Sequence, residues 1–396
     1  MNMVPTISDA ARIETSQPHA DKPLRIALFS GNYNYVVDGP VLALNRLVRH
    51  LETKNHQVLI FAPTIKNPPY KHAGTLISAP SIPIPGRGEY RATLGMSQNI
   101  RDRLNRFKPD LIHVAAPDLL GHGVLKYARK HGIPAVASYH TRFDTYPRYY
   151  NMPWLEGAVT RSLRRFYAKC EHVYAPSQSM IDELKVAGIG RDLRLWTRGV
   201  DQELFNPQKR DAAWRQSIGF NNNDNVVAFV GRLVLEKGLD VFAKSLAQTP
   251  GAKALIVGDG PERAHFESMM PNAVFIGYQA DDALARAYAS ADIFFNPSVT
   301  ETFGNVTLEA MASGLPSVCA NAAGSASLIK NGETGLLCEP SVDEFAKALT
   351  ILVTDKPTRK RMAENARAAS YDFSWEEVLN ALIGNYRIAI DQFDGY

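Results

Sequence analysis

The sequence predicts two α/β domains of the Rossmann type in tandem, each built on a parallel sheet. The chain has 396 residues, 45% of them hydrophobic and 21% charged, which is globular in composition and too long for one ordinary core. Short apolar segments alternate with helix-length segments from Leu24 onward, and the alternation restarts at Val226 after an irregular stretch. This alternation is typical of β-α-β units, whose ligands bind at the carboxyl ends of the strands.

The first domain is expected to cover residues 23–205. Residues 1–22 are polar, contain a proline and lack the apolar core of a secretory signal, so we expect a disordered lead-in there. An opening strand at 24–30, a glycine-bearing loop at 31–40 and a helix at 41–54 follow from the apolar spacing. Further strands are expected at 58–62, 111–114, 135–138 and 172–175.

The second domain is expected to cover residues 206–375. Its first strand, 226–230, leads to Gly231 and then to a helix from about Leu239. Residues 376–396 predict a C-terminal helix and a short tail. Further strands are expected at 254–257, 274–276, 292–296 and 317–319.

Charge is divided unevenly along the chain. Residues 1–205 carry 27 Lys and Arg against 17 Asp and Glu, whereas residues 206–396 carry 17 against 23. A basic first half suits an anionic membrane surface, a nucleic acid or an acidic acceptor, and an unevenly charged solvated surface is the plain alternative. The apolar stretches are strand-sized, far short of the roughly 18 residues of a membrane span. We expect a cytoplasmic protein, with peripheral contact to the inner face of the membrane left open.

The three cysteines indicate neither a disulfide framework nor a zinc knuckle. Cys170, Cys319 and Cys338 are odd in number and far apart, and the chain has no Cys-x-x-Cys. We expect them to be small buried side chains.

A loop and helix start after the strand at 292–296 predict an anion site. The amides at a helix start point outward unpaired, and the helix dipole adds positive potential, so a diphosphate is the expected guest. Glu301 in the loop and Glu309 on the helix from about Asn305 lie on either side of these amides. Both can accept hydrogen bonds from sugar hydroxyls, although two surface glutamates without a ligand are the alternative.

Two basic residues follow the carboxyl end of the first strand of the second domain. Arg232 and Lys237 lie in the segment Gly-Arg-Leu-Val-Leu-Glu-Lys-Gly at 231–238, directly after that strand. An ion pair at about 4 Å is worth roughly 4 kcal/mol at an effective dielectric near 20, so two fixed cations could replace a metal in stabilising a leaving diphosphate. We therefore expect no metal site. Solvated loop charges are the alternative.

The loop after the first strand of the first domain carries Gly31, Asp38 and Gly39, where glycine permits close backbone approach to a ligand. Neither the dinucleotide fingerprint Gly-x-Gly-x-x-Gly nor the phosphate loop Gly-x-x-x-x-Gly-Lys occurs at this point. The segment Gly258-Asp-Gly260 also follows a strand, and we interpret it as a turn.

His140 follows the strand at 135–138, again at a carboxyl end, where a histidine can orient a sugar hydroxyl or an acceptor. An ordinary loop histidine is the alternative. The aromatic and arginine-rich run that follows suits an acceptor with a lipid or phosphate part, and suits a packed helical hairpin equally well. That run continues with Met152, Trp154, Arg161, Arg164 and Arg165.

From about Leu24 to Ile388 the sequence resembles the retaining glycosyltransferases of family four, which have the GT-B fold of two Rossmann-like domains facing a cleft. The most specific segments are 231–238 and Glu-Thr-Phe-Gly-Asn-Val-Thr-Leu-Glu at 301–309, followed by Ala-Met-Ala-Ser-Gly-Leu-Pro. The resemblance is greatest to bacterial and plastid enzymes that build glycolipids, including sulfoquinovosyl and glucuronosyl diacylglycerol synthases, and to α-mannosyltransferases. It rests on Asp38-Gly39, on Tyr-His-Thr-Arg-Phe at 139–143 and on Trp-Thr-Arg-Gly-Val-Asp at 196–201.

The resemblance implies a role for each candidate residue. Arg232 and Lys237 would bind the donor phosphates, Glu301 the transferred sugar and Glu309 the ribose. His140 would contact the sugar near the reacting carbon, and Gly39 would approach the diphosphate across the cleft. The remaining residues would supply backbone amides or lie beside the nucleobase, namely Phe303, Gly304 and Asn305 for the amides and Tyr278 for the base. Many relatives have Gly-Gly with a nearby Glu where this chain has Ala323-Gly324-Ser325.

These features predict transfer of a sugar from a UDP- or GDP-linked donor to a hydroxyl acceptor, with retention of anomeric configuration. We favour a UDP-sugar and a membrane lipid such as diacylglycerol, with a GDP-mannose-dependent α-mannosyltransferase acting on a glycolipid or polysaccharide precursor as the alternative. A nucleotide-sugar epimerase and a non-catalytic nucleotide-sugar binding protein rank below both. No cofactor beyond the nucleotide-sugar substrate and no nucleic-acid partner are expected.

Overall fold

The computed structural model describes residues 22–36, 39–84, 87–140, 153–301 and 303–395. The chain divides into two compact units. The first unit takes the chain up to Pro176, the segment Ile181–Trp196 and the C-terminal stretch from Glu376, and the second takes Ser177–Met180 and Thr197–Trp375. The second unit therefore begins ahead of residue 206, where the sequence places the boundary.

The described strands, in chain order, are β1 (Arg25–Phe29), β2 (Gln57–Ala62), β3 (Thr75–Ser78), β4 (Ser81–Ile84), β5 (Arg87–Thr93), β6 (Leu111–Val114), β7 (Ala135–Ser138), β8 (Val173–Ala175), β9 (Leu193–Leu195), β10 (Asn225–Val230), β11 (Ala252–Val257), β12 (Val274–Phe275), β13 (Ile293–Asn296), β14 (Ser317–Ala320) and β15 (Gly335–Cys338).

The described α-helices are α1 (Gly39–Thr53), α2 (Gln98–Phe107), α3 (Leu119–His131), α4 (Glu156–Tyr167), α5 (Gln178–Val186), α6 (Ala212–Ser217), α7 (Leu239–Ala247), α8 (Arg263–Met269), α9 (Asp281–Ala289), α10 (Asn305–Ala312), α11 (Ala323–Ala326), α12 (Val342–Thr354), α13 (Lys356–Ser370) and α14 (Trp375–Asp391). Short 3-10 turns lie at Pro153–Leu155, Pro207–Lys209 and Leu235–Lys237.

The first unit is built on a parallel sheet. Its strands, as far as the chain is described, run in the order β3-β2-β1-β6-β7-β8-β9, and β4 and β5 form a separate antiparallel pair. Ile26 of β1 lies opposite Val58 of β2 and Leu111 of β6. The strand order reverses at β1, which makes the edge between β1 and β6 the topological switch point where open α/β sheets bind ligands.

The second unit repeats this plan. Its described strands are parallel in the order β12-β11-β10-β13-β14-β15, so the switch point lies between β10 and β13. Alternate residues of β10 face two separate hydrophobic clusters: Val226 and Ala228 enter one, and Val227 and Phe229 enter the other. Both faces of the sheet are therefore covered, as a parallel sheet requires. The predicted fold class of two Rossmann-like α/β domains is confirmed.

The predicted strands match observed ones to within a residue or two, but β3, β4, β5, β9 and β15 are absent from the predicted set. β4 and β5 form the antiparallel pair outside the two parallel sheets. β3 has exposed residues at both ends, and β9 contains an arginine between two leucines. β15 begins with Gly335. Short edge strands lack the continuous apolar run by which the buried central strands are recognised.

Helix α14 belongs to the first unit because polar contacts join it to that sheet. His113 of β6 is fully buried, and its Nδ1 lies 2.6 Å from the Tyr386 hydroxyl while its Nε2 lies 3.1 Å from Ser138 Oγ. Arg194 of β9 donates to Asn385 Oδ1 at 2.9 Å.

Across the described residues, no helix is long and apolar enough to cross a bilayer.

Candidate active site

Glycines bring the loops after β10 and β11 into direct contact. A Cβ added to Gly258, whose φ is 138°, would lie 1.9 Å from the carbonyl oxygen of Gly231. A Cβ added to Gly260 would lie 2.3 Å from the carbonyl oxygen of Leu233. The 258–260 segment therefore lies directly against the loop that carries Arg232, and the Leu233 N–H donates to the carbonyl oxygen of Asp259 at 3.0 Å.

The two predicted cations differ in their surroundings. Arg232 is exposed directly after β10 and has no ion-pair partner in the described part of the chain. Lys237 closes a 3-10 turn, and Gly238 follows it with φ 73°. A Cβ on Gly238 would lie 3.2 Å from Cγ of Pro297, so this glycine lets the Lys237 turn lie against the loop after β13.

Glu301 is held through both carboxylate oxygens. Lys237 Nζ donates to Glu301 Oε1 at 3.1 Å, and Asn296 Nδ2 donates to Glu301 Oε2 at 3.1 Å. The Glu301 side chain is mostly buried, and that of Lys237 is about one-quarter exposed. The structure therefore joins two of the predicted donor-site residues in one ion pair at the switch point between β10 and β13.

Helix α10 begins directly beside this carboxylate. Gly304 is its N-cap with φ 93°, and it has no side chain to cap the first-turn amides. A Cβ on Gly304 would lie 3.1 Å from Glu301 Oε2. Asn305 Oδ1 is buried and has no hydrogen-bond partner among the described residues. The helix start thus presents backbone N–H groups of the kind that bind phosphate.

Phe303 points its ring into the core, where its ring centroid lies 6.0 Å from that of Phe373. This burial leaves only the backbone of Phe303 for ligand contact, as the predicted amide role requires.

Glu309 lies in the second turn of α10 and accepts a hydrogen bond from the Tyr288 hydroxyl at 3.0 Å. Tyr288 is fully buried on α9, and burial, together with the neighbouring carboxylate of Glu309, raises the pKa of its hydroxyl well above the ordinary value. The hydroxyl therefore stays protonated and orients one oxygen of Glu309.

Gly324 lies in the Ala323-Gly324-Ser325 segment, close to the loop that carries Glu301. A Cβ at Gly324, in α11, would lie 2.6 Å from the carbonyl oxygen of Glu301. The glycine therefore lets α11 pack directly on the backbone of the loop that carries Glu301.

Two residues of this cluster, Asn296 and Tyr288, are absent from the predicted site. Asn296 carries a signal in the sequence, because a polar residue ends the otherwise apolar strand Ile-Phe-Phe-Asn at a carboxyl end. The sequence around Tyr288 is typical of a core aromatic residue on an amphipathic helix. Its contact with Glu309 spans 21 residues, so local pattern does not indicate that Tyr288 belongs to the site.

Tyr278 lies after β12, which two strands separate from β13, and 70% of its surface is exposed. Gly277 precedes it with φ 71°, a left-handed backbone conformation that favours glycine. The aromatic ring is thus available on the surface of the second unit at the carboxyl end of the sheet.

The other predicted site residues lie in the first unit. His140 is buried just after β7 and meets the Trp196 ring edge-to-face, with ring centroids 4.9 Å apart. Gly39 is the first residue of α1. Asp38 lies outside the described residues, as does the run from Thr141 to Met152.

The described part of the arginine-rich stretch is helical. Trp154 is exposed in a 3-10 turn, and α4 carries exposed Arg161 and Arg165. Arg164 donates to the carbonyl oxygen of Ala187 and so holds α4 to the segment after α5.

The described residues contain no group of three or more His, Cys, Asp or Glu side chains that could hold a metal ion. Cys170, Cys319 and Cys338 are free and buried. Burial raises the pKa of the Cys319 thiol to about 12 and that of Cys338 to about 11, so both are protonated core side chains.

Comparison with known proteins shows which proteins this chain is similar to. Residues 37–204 match the family described as Glycosyltransferase Family 4, and residues 210–369 match Glycosyl transferases group 1. The chain is 32% identical to a GDP-mannose-dependent alpha-mannosyltransferase of Corynebacterium glutamicum, over 94% of this chain and 91% of that protein. It is 33% identical to a sulfoquinovosyl transferase of Arabidopsis thaliana, over 89% of this chain and 71% of that protein.

Among solved structures, the fold is similar to that of sucrose-phosphate synthase from Thermosynechococcus elongatus. The TM-score is 0.76 at 21% identity, and the match covers 93% of this chain and 99% of that one.

Proposed function

Since the chain belongs to the family 4 glycosyltransferases, which use nucleotide-sugar donors and retain anomeric configuration, we propose that it transfers a sugar from a UDP-sugar to a hydroxyl of a membrane lipid such as diacylglycerol. The observation that carries the proposal is the placement of Glu301. Its carboxylate lies at the uncapped start of α10 and is paired with Lys237, so a carboxylate for sugar hydroxyls adjoins groups that bind phosphate.

The donor diphosphate would bind the first-turn amides of α10 together with Arg232 and Lys237. These cations would stabilise the charge that develops as the nucleoside diphosphate leaves, which is the electrostatic contribution expected in a water-poor site. Glu301 would accept hydrogen bonds from the transferred sugar, and Glu309, oriented by Tyr288, would accept them from the ribose.

The acceptor hydroxyl would attack on the face from which the diphosphate departs, and its proton would pass to the leaving phosphate. This route requires no carboxylate nucleophile. We further propose that His140, buried against Trp196 in the first unit, orients a hydroxyl near the reacting carbon, and that the backbone of Gly39 approaches the diphosphate. Tyr278 would flank the nucleobase.

GDP-mannose is the second candidate donor. The similarity to the corynebacterial mannosyltransferase extends over nearly the whole of both chains, which favours it. Asp38, beside Gly39, is proposed as part of either donor site.

The test incubates the purified protein with a panel of UDP-sugars and GDP-mannose in the presence of total bacterial lipid, followed by mass analysis of the lipid extract. We expect one donor to yield a new glycolipid. Sugar appearing only on water-soluble acceptors would contradict the lipid acceptor, and conversion of donor without any acceptor would identify an epimerase. Binding of UDP or GDP with no turnover would identify a binding protein.

A further inference from the structure

Asn296 is a buried amide at the carboxyl end of β13, with 3% of its surface exposed. Its Nδ2 donates to Glu301 Oε2 at 3.1 Å and to Thr307 Oγ1 at 3.1 Å. Its Oδ1 accepts from the backbone N–H of Ser298 at 3.2 Å. One amide therefore joins the strand end, the loop with Glu301 and the first turn of α10.

Two of these three partners, Ser298 and Glu301, determine which way the amide points. The Ser298 N–H can only donate, so it requires the carbonyl oxygen of Asn296. The carboxylate of Glu301 can only accept when it is ionised, so it requires the NH2 group. A flipped amide would set oxygen against oxygen at Glu301 and N–H against N–H at Ser298, which makes the observed orientation the stable one.

The hydrogen bond from Asn296 to Glu301 complements the one from Lys237, because the two donors bond different carboxylate oxygens. Lys237 bonds Oε1 of Glu301 and is also a proposed phosphate ligand, so the donor phosphates compete with Glu301 for its charge. Asn296 bonds the other oxygen from inside the core, where a phosphate does not reach. Gly304 leaves room for that oxygen, because a Cβ there would lie 3.1 Å from it.

We propose that Asn296 is a positioning residue: it holds the Glu301 carboxylate in the orientation that accepts the hydroxyls of the transferred sugar. The proposal rests on the proposed function of Glu301. Asn296 does not touch the substrate, and it acts only through that carboxylate. Loss of its amide therefore weakens sugar recognition and leaves recognition of the nucleoside diphosphate intact.

The test is a double-mutant cycle of Asn296→Leu and Glu301→Ala, with kcat/KM for the active nucleotide sugar and calorimetric affinity for the free nucleoside diphosphate as readouts. A hydrogen bond to a charged group supports a loss of roughly ten- to a hundredfold in kcat/KM for Asn296→Leu alone. In the Glu301→Ala background the same substitution should change kcat/KM by less than about twofold, because the group through which it acts is gone. Within each background, Asn296→Leu should leave the affinity for the nucleoside diphosphate unchanged.

Asn225→Leu is the matched control, since Asn225 is an amide of the same unit that bonds Gly251 and Arg359 at the opposite end of the sheet. It should lower the melting temperature without changing kcat/KM. Asn296→Asp is the second variant: it keeps the shape but sets an oxygen against Glu301, and we expect a loss at least as large as that of Asn296→Leu.

Equal losses of kcat/KM for Asn296→Leu in both backgrounds would show a merely structural role for Asn296, and so would a parallel loss of nucleoside diphosphate affinity. Either result would overturn the inference. The proposed function would still stand if the wild type transfers sugar. A wild-type protein that transfers no sugar from any donor would overturn the proposed function, and the inference with it.

Discussion

In the proposed site, Lys237 would link recognition of the diphosphate to recognition of the sugar, since it is paired with Glu301 and lies in the loop beside α10. We predict that Lys237→Ala lowers kcat by orders of magnitude and leaves the melting temperature nearly unchanged, because the side chain is partly exposed and its loss removes leaving-group stabilisation rather than packing. Steady-state kinetics with the active donor measure this.

Lys253→Ala is the control, because Lys253 forms a comparable pair with Asp224 at 2.8 Å, at the opposite end of the same sheet. Its turnover should equal that of the wild type. Near-normal turnover of the Lys237→Ala protein would remove this lysine from the site.

Arg232 and Lys237 lie at the same end of the sheet, which has a consequence for whether sugar transfer needs a metal ion. Since Arg232 and Lys237 can carry the charge of the leaving diphosphate, we predict that transfer continues at an unchanged rate in excess EDTA. Activity that falls with chelator and returns with added Mg²⁺ or Mn²⁺ would show that the cations do not suffice. An enzyme with a known Mg²⁺ requirement, assayed in the same buffer, confirms that chelation is complete.

At the scale of elements, α6 is tied to the start of β13 by a buried arginine. Arg215 is 1% exposed, and its guanidinium donates to Asp292 at 3.0 Å and to the carbonyl oxygens of Ser290, Asn221 and Asp224. We predict that Arg215→Met lowers the free energy of unfolding of the second unit by about 3–5 kcal/mol, because it leaves a carboxylate and several carbonyls without this donor.

Urea unfolding followed by tryptophan fluorescence measures that loss, and Trp214 on α6 supplies a local probe. Lys347→Met serves for comparison, since Lys347 pairs with Glu344 on the exposed face of α12 and should contribute little. Equal midpoints for the two variants would show that the Arg215 network does not stabilise the fold.

Helix α14 gives the first unit a pH dependence through His113. Burial lowers the pKa of this histidine to about 3, far below its ordinary value of 6.5, so the folded protein holds it neutral while the unfolded chain takes up a proton below pH 6.5. Stability therefore falls as pH drops from 6.5 toward 3, and at pH 5 the loss from this group is about 2 kcal/mol.

The melting temperature of His113→Asn, measured between pH 7.5 and 5, should fall less steeply than that of the wild type. A residual slope is expected because burial also lowers the pKa of His172, to about 4. Identical slopes in the two proteins would show that His113 is protonated without cost in the folded state.

The central strands and the loop residues of the site follow from local pattern, because a buried parallel strand is a continuous apolar run and its carboxyl end carries the ligand-binding side chains. Glu301, Lys237 and Arg232 could be predicted in this way. The long-range contacts that hold other polar side chains could not be predicted, since Tyr288 reaches Glu309 and Tyr386 reaches His113 only once the chain has folded, the latter across 273 residues. The attachment of α14 to the first unit is a long-range property for the same reason.

For the whole molecule, the uneven charge bears on where the enzyme would meet the proposed lipid acceptor. The basic half of the chain includes a described segment with an exposed aromatic side chain, Trp154, followed by exposed Arg161 and Arg165 on α4. An aromatic ring beside arginines is the combination that favours the interface of an anionic bilayer. This segment is therefore the described surface on which we place the proposed membrane contact.

We predict that the protein floats with vesicles containing phosphatidylglycerol, does not float with pure phosphatidylcholine vesicles, and is released at 1 M salt, where the screening length falls from about 8 Å to about 3 Å. Replacing Arg161 and Arg165 with Glu and Trp154 with Ala should weaken flotation, whereas Arg101→Glu with Arg103→Glu, on the exposed face of α2, keeps the change in net charge and should have the smaller effect. Equal weakening of flotation by the two sets of substitutions would mean that net charge alone drives membrane association.

Flotation that survives 1 M salt would mean that apolar insertion dominates membrane association. The donor affinity of all variants should match that of the wild type, because none of the substituted residues belongs to the proposed donor site.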